Sequence, residues 1–125
     1  MTYQKLDAWK GCHALALATL TTAKHTVDRE PGLVRRLCDN AVASAGKLAF
    51  GSGTRNRRMF WQAVARSAGH LSAFGYHLGL ARVMGVLPEK ECTQLDALRG
   101  RAAFYTWQLL ESLLAPRNRG DTGTG

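Results

Sequence analysis

The sequence predicts an all-α protein, an up-and-down antiparallel four-helix bundle. Three observations predict it. Apolar residues recur at three- and four-residue spacing in four separate segments. No alternating, β-branched run bounded by turn residues interrupts them. The segments are joined by short stretches rich in Gly, Pro and polar residues, which suits antiparallel neighbours. At 125 residues the chain has the size of one domain and can bury a core without disulfides or metal.

The first helix is expected to bury Leu6, Trp9, His13, Ala16, Leu20, Ala23 and Val27. "DREPG" (28–32) then breaks the pattern, with Pro31 placed for the first turn of the second helix. That helix carries Leu33, Leu37, Ala41, Ser44 and Leu48 on one face. "GSGTRN" (51–56) follows. Its glycines are expected to end the second helix in a positive-φ turn, and Asn56 is the expected N-cap of the third. The third helix aligns Phe60, Val64, Ala68, Leu71, Phe74 and Leu78. "GVLPEKE" (85–91) separates it from the fourth, where Pro88, Glu89 and Glu91 suit a helix start and its dipole. The fourth aligns Leu95, Leu98, Ala102, Leu109 and Leu113, and Pro116 stops it. The domain therefore reads as 1–116, with 117–125 a flexible Gly-rich tail.

The net charge is +8, and it is segregated. Residues 31–88 hold Arg35, Arg36, Lys47, Arg55, Arg57, Arg58, Arg66 and Arg82 against one acid, Asp39. A concentration of arginine in the middle of a chain points to an anionic partner, because guanidinium grips phosphate through two parallel hydrogen bonds. The apolar run Ala14–Leu20 is too short to cross a membrane, and "MTYQKLDAW" does not read as a secretory signal. Cys12, Cys38 and Cys92 are odd in number and widely spaced, so neither a disulfide framework nor a zinc site is expected. A cytoplasmic location fits best.

"GSGTRNRRMFWQ" (51–62) invites a phosphate-loop reading, but it lacks the lysine and the preceding strand of a nucleotide-hydrolysing loop. Arg55, Arg57 and Arg58 oppose the dipole of the helix they open, and within the middle segment Asp39 alone could pair with them. Phosphates are their expected partners, with Arg36, Lys47 and Arg66 extending the same basic surface. His70 and His77 share a flank of the third helix without further metal ligands at matching spacing. No catalytic residue, metal or cofactor is expected. Trp9, Trp61 and Trp107 are read as packing or interface residues. The back of the third helix turns apolar in its last turns, at Tyr76, Leu80, Val83, Met84 and Leu87. With Gly69, Gly75, Gly79 and Gly85 nearby, this face is the expected oligomer interface.

"YQKLDAWKGCHALAL" (3–17), "PGLVRRLCDNAV" (31–42), "GSGTRNRRMFWQAVARSAGHL" (51–71) and "LGLARVMGVLPE" (78–89) resemble, in order and spacing, one bacterial four-helix-bundle family. It comprises proteins encoded in ribosomal-RNA intervening sequences and the accessory variability determinants of diversity-generating retroelements. The intervening-sequence branch has Asn-Ile-Ala-Glu-Gly before its third helix. Here "KLAFG" (47–51) places Lys47 and Phe50 where that branch has Asn and Glu, which favours the retroelement branch. That resemblance implies a homopentameric barrel that binds RNA or DNA beside a reverse transcriptase and is not an enzyme. The alternative is an intervening-sequence-type scaffold with no direct nucleic-acid role.

Overall fold

In a computed structural model, the described residues are 2–27 and 31–114. A 3-10 turn, Tyr3–Lys5, leads into α1 (Asp7–Lys24), followed by α2 (Pro31–Ser52), α3 (Arg57–Val83) and α4 (Glu89–Leu114). The expected tail at 117–125, the boundary at Pro116 and part of the 28–32 joint lie outside those residues. Among the described residues there is no strand, and no helix is long and apolar enough to cross a membrane. Each helix packs on two others: α1 on α2 and α4, and α3 on α2 and α4. The result is a four-helix bundle in which α1 faces α3 across the diagonal.

The core runs through Leu15, Leu37, Leu48, Val64, Leu71, Phe74, Leu78 and Leu95, all fully buried. The expected faces of α2 and α3 are the ones that point inward. That of α4 needs Cys92, Thr106 and Leu110 added. In α1 the expected face is rotated. The buried line is Ala8, Cys12, Leu15 and Thr19, with Ala16 beside it, whereas Leu20 is 42% and Val27 78% exposed. Small residues win that face because α1 lies close to α4. A Cβ on Gly11 would stand 3.0 Å from the Ala102 Cα. Trp9 moves to the rim, where it stacks on His13 at 4.5 Å and meets Tyr3 edge-on at 5.1 Å.

The helix ends follow from local chemistry. Asn56 caps α3, its Oδ1 accepting from the Met59 amide at 3.0 Å. At the other end Gly85 adopts φ 67°, while its amide donates to the Arg82 carbonyl and the Val86 amide to the Ala81 carbonyl. This is the paired C-terminal closure that favours glycine, so Gly85 ends α3 instead of lying within it. Pro31 opens α2, and Glu89 and Glu91 occupy the first turn of α4. The α2–α3 joint departs from expectation. Gly51 does not break α2, which continues to Ser52, and Gly85 supplies the one positive φ among the described residues.

Gly51 instead permits a close crossing. A Cβ there would stand 2.6 Å from the Ala63 Cβ and 3.0 Å from Phe60 Cδ1. Gly51→Ala is therefore expected to destabilise the fold by about 1–3 kcal/mol through overpacking. Gly46, also in α2, is exposed with nothing within 4 Å of an added Cβ. Gly46→Ala is expected to stabilise by roughly 0.5–1 kcal/mol. Urea denaturation of the two variants checks the opposite signs.

Candidate nucleic-acid interface

α2 and α3 make the most extensive helix–helix contact in the bundle. Its register is fixed in the core, where the Ser67 hydroxyl donates to the Ser44 carbonyl at 2.8 Å. At about 100° per residue, that register places Arg36, Asn40, Ala43 and Lys47 of α2 along the outer rim of the contact. Arg66, His70, Ala73 and His77 of α3 form the facing rim. Ala43 and Ala73 keep the middle of this seam low. Arg36 and Arg66 are exposed, and Lys47 is partly covered.

Asn40 ties the rims together. Its Oδ1 lies 2.7 Å from His77 Nδ1, and its Nδ2 lies 3.4 Å from His70 Nδ1. Burial depresses the pKa of both histidines. The charge of Lys47 adds to the effect at His70, and that of Arg36 at His77. Among the described residues the ion pairs are Arg82–Glu89 at 3.1 Å and Arg99–Asp96 at 3.2 Å. Arg36, Lys47, Arg55, Arg58 and Arg66 belong to neither pair.

The arginines of the α2–α3 turn do not act alike. Arg55 and Arg58 are exposed at the end of the bundle. Arg57 turns back across it: Nη2 donates to the Ser112 carbonyl at 3.0 Å and Nε to the Leu113 carbonyl at 3.2 Å. Those are orphan carbonyls at the C-terminal end of α4, where a cation is favoured. The expectation that all three arginines lack a protein partner is thus corrected for Arg57. Beside it, Trp61 is partly buried, and its indole N–H has no acceptor among the described residues.

The outer face of α3 is apolar as expected at Tyr76, Leu80, Val83 and Met84. Val83 is 83% and Tyr76 67% exposed. Leu87 differs. It is 6% exposed and belongs to the core, because the chain turns inward after Gly85. It is therefore a packing residue of this fold. Gly69 and Gly79 lie on the same outer face, and a Cβ on either would meet nothing within 4 Å. Gly75 lies against the Arg99 side chain instead.

Two features escaped the sequence reading. Asn40 reads as an ordinary polar residue on a helix flank, and only the register of α2 against α3 shows that it meets both histidines. Phe104, Trp107 and Leu114 form an exposed apolar stripe on α4. Their spacing of three and seven residues was the available signal. No protein family matches the chain, and no curated protein matches it.

Proposed function

We propose that this is a non-enzymatic, nucleic-acid-binding accessory protein. Its cationic α2–α3 side holds the phosphate backbone of RNA or DNA. The observation that carries this reading is the set of five cations on that side, Arg36, Lys47, Arg55, Arg58 and Arg66, that take part in no ion pair among the described residues. Neutralising phosphates releases condensed counterions, which gives affinity with little dependence on sequence. The ordered motifs that resemble retroelement accessory variability determinants favour a reverse transcriptase as the protein partner, in the cytoplasm.

The test is a salt series of anisotropy titrations with a structured RNA and an unrelated duplex. Replacing Arg55, Arg58, Lys47 and Arg66 with Gln is expected to weaken binding. It should also flatten the slope of log affinity against log salt by up to about one unit per lost phosphate contact. Thermal stability should hardly change. Arg57→Gln behaves differently: it loses about 0.3–1 kcal/mol of stability with the α4 cap. Unchanged affinities and slopes in the fourfold variant overturn the reading.

The reading includes self-association through the α3 face, with the pentamer of the resembled branch as its form. Gly69 and Gly79 support it. Each costs a helix about 0.8–1 kcal/mol relative to Ala, and neither relieves a clash within its own chain. Close approach of a second copy gives the missing side chains a purpose. If so, the joint variant Gly69→Ala, Gly79→Ala lowers the particle mass in sedimentation. If the chain is a monomer, wild type sediments at 13.6 kDa, and the same variant only raises the melting temperature.

A further inference from the structure

An amide group offers one acceptor and one donor, and this limits what Asn40 can do. Its carbonyl oxygen, 2.7 Å from His77 Nδ1, requires a proton on that nitrogen. Its amide nitrogen, 3.4 Å from His70 Nδ1, requires a lone pair there. Reversing the amide exchanges the two roles and changes nothing else: one carboxamide meets one Nδ1–H and one bare Nδ1. With the amide oxygen on the shorter contact, to His77, the neutral seam holds His77 as its Nδ1–H tautomer and His70 as its Nε2–H tautomer; the reversed amide holds the opposite pair. Protonating His77 at Nε2 leaves its bond to Asn40 intact and adds an outward donor. Protonating His70 at Nδ1 sets two donors against each other. The histidines accordingly charge one after the other, the one that faces the amide oxygen first.

The surroundings make this titration responsive to anions. Around the imidazoles stand Arg36, Asn40 and Lys47 from α2, Arg66 one turn before His70, and Tyr76 beside His77. Asp39 lies on the solvent side of the rim, about 60° round α2 from Arg36 and about 40° from Ala43. On the other flank α4 presents Arg99 to Gly75. The cations nearest the imidazoles thus oppose their protonation. An anion in the seam cancels that repulsion, and by reciprocity each proton taken up strengthens anion binding.

From this arrangement we infer that the Asn40–His70–His77 cluster is a pH gate on a phosphate-binding seam flanked by Arg36 at one end and, about 16 Å along α2, by Lys47 and Arg66 at the other. Near pH 7.5 the seam offers three fixed cations. As pH falls it gains a fourth at the histidine that faces the amide oxygen, and a bound phosphate draws the fifth at the other. The sign is consistent with folding. Histidines whose pKa is depressed in the fold contribute stability that is present above about pH 6.5 and lost as pH falls through the lower folded values. A phosphate ligand restores part of that loss. The gate rests on the nucleic-acid reading above, but can fail without it.

The probe is a uridine-only RNA oligomer, whose bases do not titrate between pH 5.5 and 7.5. Anisotropy titrations with the full chain at fixed ionic strength are expected to show binding tightening about fivefold or more from pH 7.5 to pH 5.5. His70→Gln, His77→Gln together should remove most of that gain. Binding that persists with the same pH dependence in wild type and double variant overturns the gate and leaves the nucleic-acid reading standing. Absence of binding at both pH values overturns both. A second measurement stands apart from RNA: imidazole nitrogen shifts followed from pH 8 to 5. Two separated midpoints with opposite starting tautomers are expected, and Asn40→Asp should raise both, since a carboxylate accepts from two Nδ1–H groups at once. Coincident midpoints with identical tautomers contradict the coupling.

Discussion

Everything on the surface of this bundle is placed by a small polar layer at its centre. Each helix contributes one member: Cys12 from α1, Ser44 from α2, Ser67 from α3 and Thr106 from α4, all fully buried. The Cys12 sulfur lies 3.9 Å from the Ser67 hydroxyl and 3.8 Å from that of Thr106. Ser67 donates to the Ser44 carbonyl and Ser44 to that of Ala41. Burial raises the pKa of Cys12, so the sulfur remains a neutral thiol. A buried hydroxyl without a partner costs about 1–3 kcal/mol, so sliding α2 past α3 loses the Ser67–Ser44 bond as well as the leucine packing around it. The same close approach excludes large side chains at Gly11 and Gly51.

Once that register is set, the two outer faces follow. Ser67 opposite Ser44 brings Asn40 between His70 and His77 and gathers cations from two helices along one seam. The outer face of α3, about a quarter of a turn further round, is left with Gly69, Tyr76, Gly79, Leu80 and Val83. One helix thus separates a cationic surface from an apolar, glycine-bearing one. The arginine-rich turn at the end of the bundle divides in the same way. Arg57 serves the fold by closing α4, and Arg55 and Arg58 remain exposed.

Much of the architecture was legible in the sequence because leucines at helical spacing mark α2 and α3 clearly. Asn56, Pro31 and Glu89 mark helix starts by their own local chemistry. The face of α1 was misread because Trp9 and Leu20 outweigh Ala8 and Cys12 in hydrophobicity, whereas the close crossing with α4 selects for small size. Leu87 was misread because a left-handed glycine redirects the chain just before it. At the candidate site the cations were visible as a count, but their grouping was not. It depends on which rims of α2 and α3 meet, and neither helix reveals that by itself.

The central claim, that the α2–α3 side receives nucleic acid, is tested most directly by photo-crosslinking a single-stranded RNA that carries 4-thiouridine and mapping the labelled peptides. The account predicts adducts within 35–50 and 58–77, reduced by competing unlabelled RNA and by salt. Adducts confined to α1 and α4, or none at all under conditions where a known RNA-binding protein is labelled, would contradict it.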